Sequence, residues 1–142
     1  MADANNSFAS IPVNQFFNSS LGAHDEKTAR VSFRPERAHT QEYGVVHGGI
    51  LSALADTAAV YTVHPTLGKE QRMTSIEFKI NFLSGATPER GDVVANARLV
   101  RRGKTVAVVH VDLHQQDVLV ATGLFTYIIL SAGTATSVPS GS

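Results

Sequence analysis

Residues 48–64, GGILSALADTAAVYTVH, constrain the fold more than any other stretch of the chain. They contain a single formal charge, Asp56. On a helix, Ile50, Leu51, Leu54, Ala58 and Tyr61 form one stripe, and Ala55, Ala59 and Val63 fill much of the remaining circumference. A helix that is apolar nearly all round has to be enclosed. Pro65 and Gly68 terminate it, and at about 1.5 Å per residue it spans roughly 25 Å, the length of a small domain. The remainder of the chain must therefore wrap around it.

The residues that follow alternate with period two, the signature of strands. In 74–82, Ile76, Phe78, Ile80 and Phe82 are expected to face one way, and Ser75, Glu77, Lys79 and Asn81 the other. GATPERGD at 85–92 reads as a turn, and strands are predicted over 92–102, 105–114 and 118–130. The last three are separated by turns at Arg102-Gly103-Lys104 and Gln115-Gln116-Asp117. Short turns make consecutive strands antiparallel, giving a four-strand meander. Before the long helix, TARVSFR at 28–34 reads as a strand closed by Arg34-Pro35, and 35–47 as a loop. Val13, Phe16 and Phe17 predict a short amphipathic helix over 11–20, with Gly22 as its stop.

The fold class is therefore α+β, an antiparallel sheet wrapped around one long central helix. A doubly wound sheet is excluded by the lack of alternating strands and helices in the second half. Both faces of 118–130 are apolar (Val118, Leu119, Val120, Leu124, Phe125, Ile128, Ile129, Leu130). One helix cannot cover both, so a second subunit is expected.

A chain of 142 residues suits one domain with one core. That domain is expected at 11–130, between flexible tails at 1–10 and 131–142. Twelve Lys and Arg balance twelve Asp and Glu, so no net field draws the protein to nucleic acid or to an anionic membrane. With no Cys, disulfides, thiolate zinc sites and cysteine nucleophiles are excluded. Met1–Ser10 lacks the pattern of a secretory signal, and no apolar run reaches the roughly 18 residues of a membrane span. The expected location is the cytoplasm.

Asp56 is the first candidate for chemistry. An unpaired charge is expensive to bury, and Asp56 lies too deep in the helix to be its N-cap. The alternative is a narrow solvent strip beside Ser52. His47-Gly48-Gly49 is the second. Two glycines weaken a helix start but admit a ligand to the backbone, where free N–H groups and the positive dipole end can polarise a carbonyl. Alternatively, it is an entry turn with a structural His. Gln41 could hold a water and Ser75 could bind the Asp, although each also reads as an ordinary surface residue. Arg101, Arg102 and Lys104 around Gly103 could receive phosphates, or be solvated turn residues. His24, His39, His64, His110 and His114 show no metal-ligand spacing, so no metal is expected. G-x-S-x-G, phosphate loops and dinucleotide fingerprints are absent.

VVHGGILSALADTAA, TSIEFKINFLSGA and GDVVANARLVRRGKTVAVVHVDLHQQDVLVATGLFTYI together resemble the 4-hydroxybenzoyl-CoA thioesterase superfamily, and within it the phenylacetic-acid-degradation branch, over residues 14–130. The resemblance implies a hotdog fold, homodimers paired into homotetramers, sites at the dimer interface and an acyl-CoA substrate, with no cofactor beyond the CoA of the substrate. It also implies that the Gly48 N–H polarises the thioester carbonyl, with His47 and Gly49 shaping the turn. Asp56 from the other subunit would serve as base or nucleophile, with Ser75 near it. Gln41 stands where the family usually has Asn, one methylene shorter. Arg101, Arg102, Gly103 and Lys104 would lie near the CoA phosphates. Two rival readings are a hotdog dehydratase or hydratase, whose motifs are absent, and a non-catalytic acyl-CoA-binding protein.

Overall fold

The structure, a computed structural model, describes residues 4–131. Its elements are helices α1 (Ala4–Ser10) and α2 (Pro12–Phe16), strands β1 (Ser19–His24) and β2 (Thr28–Phe33), the central helix α3 (Gly48–Val63), and strands β3 (Gln71–Phe82), β4 (Val93–Arg102), β5 (Val106–Gln115) and β6 (Val118–Ser131). The six strands form one antiparallel sheet in the order β1-β2-β4-β5-β6-β3. It wraps α3, which packs chiefly over β2, β4 and β5. Small residues make this close approach possible: Ala55, Ala58 and Ala59 on the helix meet a sheet face that includes Ala29, Ala95, Ala97 and Ala107, all buried. The expected architecture is the observed one.

Four details differ from the sequence reading. Of the tail expected at 1–10, Ala4–Ser10 is helical, and Phe8 is only 1% exposed, its ring centroid 5.0 Å from that of Tyr61. Burying a Phe is worth about 2–3 kcal/mol, enough to hold a short helix in place. Of the tail expected at 131–142, Ser131 closes β6 and the rest lies outside the described residues. The helix expected over 11–20 stops at Phe16, and Ser19–His24 adds an edge strand. Its apolar stripe does not turn inward: Val13 and Phe16 are exposed, while Asn14 is buried because its amide donates to the Phe8 carbonyl at 3.0 Å.

The third difference lies in the meander, which comprises β4, β5 and β6 only. β3 pairs with β6 at the far edge of the sheet. The connection 83–92 is no hairpin but a crossing segment held by Gln115, expected in a turn and found fully buried. Its side chain accepts from the Thr87 N–H at 3.1 Å and donates to the carbonyls of Thr87 and Gly91 at 2.6 and 2.8 Å.

The fourth is a bulge in β3. Ser75 is paired with Tyr127, but Glu77 with Thr126, so Ile76 is the extra residue. An inserted residue reverses the alternation. Ser75 therefore shares the inner face with Phe78, Ile80 and Phe82 rather than opposing them. Because β3 lies at the edge, Ile76, Phe78 and Phe82 remain 54%, 46% and 51% exposed.

Candidate active site

The loop before α3 sets the position of the helix start. His39 is buried, and its Nδ1 accepts from the Glu36 N–H at 2.9 Å. Its carbonyl accepts the His47 N–H, also at 2.9 Å. His47 then caps α3: its Nδ1 accepts the Gly49 N–H at 2.9 Å. An N-cap satisfies one of the orphan donors of a helix start. The N–H groups of Ile50 and Leu51 go to the His47 carbonyl. Gly48 alone in this turn has an N–H without an acceptor among the described residues.

Space beside Gly48 is tight. A Cβ there would stand 3.0 Å from Cζ of Phe82, whose ring lies against the helix start. Gly48, Gln41, Leu51 and Phe82 line a cavity of about 350 Å³. Gln41, exposed, thus shares a pocket with Gly48, as its candidacy required.

Asp56 occupies a different cavity of about 610 Å³, walled by Ile11, Val13, Val60, Tyr61 and Pro65, with Asn14, His24, Thr57 and His64. The carboxylate is half-buried. Its Oδ1 accepts from the Tyr127 hydroxyl at 2.5 Å, and the same hydroxyl lies 3.2 Å from the Asp56 carbonyl oxygen. Tyr127 was not among the residues singled out in the sequence. The available signal was a phenol between the inward-facing Phe125 and Ile129 of an alternating strand, because a buried Tyr hydroxyl needs a partner. Ser75, as the cross-strand partner of Tyr127, stands on the same face of the sheet.

Burial, then the Asp56 charge and the hydrogen bond to it, hold the Tyr127 hydroxyl far above the usual tyrosine range. A hydroxyl that ionises later folded than unfolded contributes stability below the unfolded pKa, and this is lost as pH rises. Stability is expected to fall above about pH 10 by up to about 1.4 kcal/mol per pH unit from this group. Urea unfolding between pH 9 and 11 should show the slope in the wild type and a shallower one in Tyr127→Phe.

The basic hairpin divides in two. Arg102 is held: its Nε donates to Thr66 Oγ1 at 2.8 Å, one terminal NH₂ donates to Gln71 Oε1 at 3.0 Å, and the other donates to the Gly103 carbonyl. It ties the β4–β5 turn to the connection between α3 and β3 and to the first residue of β3. Gly103 permits the turn, since a Cβ there would lie 2.9 Å from the Val106 carbonyl oxygen. Arg101 and Lys104 are exposed. On the outer face of the sheet, His110 Nε2 donates to Thr122 Oγ1 at 3.1 Å, and Thr122 donates to Asp112 at 2.6 Å. Among the described residues no three His, Asp or Glu side chains are grouped to hold a metal, and no helix is long and apolar enough to cross a membrane.

A curled antiparallel sheet wrapped around one long helix is the hotdog fold. A profile of the thioesterase superfamily matches residues 43–122. The medium/long-chain acyl-CoA thioesterase YigI of Escherichia coli K12 is 26% identical over 135 residues, covering 84% of this chain and 86% of its own. A phenylacetic acid degradation-related protein of Ralstonia eutropha JMP134 superposes with a TM-score of 0.80 at 27% identity, over 88% of this chain and 96% of its own. PaaI from the phenylacetic acid degradation operon of E. coli has the same fold, with a TM-score of 0.81 at 22% identity over 90% and 91% of the two chains. The chain belongs to the thioesterase superfamily and is a hydrolase acting on thioester bonds.

Proposed function

We propose that the protein hydrolyses acyl-CoA to free acid and CoA in a site shared by two copies of the chain. The observation that carries this reading is the Asp56 carboxylate, half-buried and opening on a cavity walled by apolar side chains. Ile11 and Val13 are 36% and 49% exposed on that wall. They are apolar surface that an acyl group would cover, and burial is worth about 25 cal/mol per Å². The Gly48 N–H donates a hydrogen bond to the thioester oxygen as it becomes an oxyanion. Asp56 either takes a proton from the attacking water or attacks the carbonyl carbon itself. In the first route the water oxygen bonds to that carbon, the C–S bond breaks, and the proton held by Asp56 passes to the CoA sulfur.

Gly48 and Asp56 lie about 12 Å apart along one helix at 1.5 Å per residue, and they line separate cavities. We infer that each site takes Gly48, His47 and Gln41 from one protomer and Asp56 from the other. The free edge of β3, with Ile76, Phe78 and Phe82 exposed, supports a homodimer joined there, and dimers of this fold can pair again into a homotetramer. Release of thiol from phenylacetyl-, benzoyl-, acetyl-, decanoyl- and palmitoyl-CoA tests the activity. Turnover of none of them, with binding intact, would leave a non-catalytic acyl-CoA-binding protein.

Arg101 and Lys104 are proposed to attract the CoA phosphates. The Arg101→Ala/Lys104→Ala double variant is expected to raise KM several-fold at low salt and to leave kcat unchanged, because the contact is the same in the ground and transition states. The difference should shrink in high salt as exposed charges are screened. Arg102→Ala is instead expected to lower stability, by about 1 kcal/mol as its half-buried acceptors lose their donor.

A further inference from the structure

We propose that Tyr127 is the positioning residue of the reaction: its hydroxyl holds one oxygen of the Asp56 carboxylate and so leaves the other aimed into the cavity. The inference rests on the role assigned to Asp56 above.

The geometry is two-handed. Tyr127 is anchored in β6 at 1% exposure, so its ring cannot swing. Its hydroxyl reaches two acceptors of one residue, the Asp56 carbonyl oxygen at 3.2 Å and Oδ1 at 2.5 Å. The backbone of α3 and the carboxylate are thus referenced to the same fixed oxygen of the sheet. Asp56 Oδ2 has no hydrogen-bond partner among the described residues, and it is not sealed off, since no buried side-chain oxygen is left unsatisfied. His24, Thr57, Tyr61 and His64 line the same cavity, but none of them hydrogen-bonds the carboxylate.

This arrangement suits a base or a nucleophile. A carboxylate on a helix turns freely about its last torsion unless something holds it, and misplacing a reacting group by about 1 Å can cost about 10²-fold in rate. A phenol is a fitting clamp because it keeps its proton: burial and the neighbouring carboxylate both disfavour its ionisation. Facing a carboxylate it is the donor of the pair, so Oδ1 is the held oxygen and Oδ2 the working one. Were Tyr127 merely a core residue seeking any acceptor, removal of its oxygen would change stability and leave turnover alone.

Tyr127→Phe removes that oxygen and keeps the ring. With phenylacetyl-CoA and decanoyl-CoA as probes, kcat is expected to fall about 10–100-fold with KM within about twofold. In the Tyr127→Phe/Asp56→Asn double variant the rate should be no lower than in Asp56→Asn alone, because a clamp has nothing to add once its carboxylate is gone. A kcat for Tyr127→Phe within about twofold of wild type, or a further fall of about tenfold in the double variant, would overturn the assignment. The arms separate the two claims: full activity in Asp56→Asn sinks the role of Asp56, whereas loss in Asp56→Asn with full activity in Tyr127→Phe sinks only that of Tyr127. Should Tyr127→Phe fail to fold, Tyr127→Met, which also lacks the hydroxyl, carries the same comparison.

Discussion

Asp56→Asn is expected to lower kcat for thioester hydrolysis about 10²–10⁴-fold while the protein still folds. The substitution preserves shape and removes the charge that the proposed base or nucleophile needs, replacing one oxygen by an NH₂. The Tyr127 hydroxyl, 2.5 Å from Oδ1, can donate to an amide oxygen as it does to a carboxylate. No buried donor is stranded, so the usual penalty for breaking a buried polar pair is avoided. Stability, read from a thermal melt, is expected to stay level or rise as a partly buried charge disappears. Thiol release measured on the folded variant at the wild-type rate would leave the mechanism without its base or nucleophile.

Two inactive proteins are expected to restore each other. In Gly48→Val the added side chain has to enter the space of the Phe82 ring, already 3.0 Å from the position of a Cβ. That contact is expected to displace the N–H proposed to face the oxyanion, and loss of one such donor costs about 10²–10³-fold. If each site combines Gly48 of one protomer with Asp56 of the other, a heterodimer of Gly48→Val and Asp56→Asn contains one site with both wild-type residues and one with neither. Unfolding the two variants together and refolding them at equal amounts should restore about a quarter of the wild-type sites by random pairing. A site built within one protomer would give no recovery above the separate variants. Light scattering belongs beside this experiment, since a fully active 15.2 kDa species would remove the second copy altogether.

The parts of the proposed site that were legible in the sequence are those whose chemistry conflicts with their surroundings. Asp56 stood out because a lone charge interrupts an apolar helix, and Gly48-Gly49 because glycine is costly at a helix start. Tyr127 escaped notice because a tyrosine in a strand conflicts with nothing; only the fold shows what its hydroxyl meets. Arg102 read as one of three equivalent cations, and its bonds to Thr66 and Gln71 join segments far apart in the chain. The same distance in sequence hid the place of β3, whose partner is the last strand rather than the next. β1 was missed for a local reason, as SSLGAH carries no alternation of apolar and polar residues. Alternation also misled at Ser75, because a period of two says nothing about where an extra residue has been let in.

That extra residue, Ile76, makes β3 a strand whose two halves keep separate time. The first half is timed by the row that places Ser75 opposite Tyr127, and the second by the Phe82 ring that rests on Gly48. No evenly pleated strand of this sequence can satisfy both, since one slip of register sends every side chain to the opposite face. Deleting one residue here is therefore a different kind of change from replacing one. A substitution at 76 alters a side chain on an exposed edge, whereas its loss forces a choice between the hydroxyl row and the aromatic rest. The two ends of the proposed site hang on the same ribbon, and one residue of slack lets each be hung at its own height.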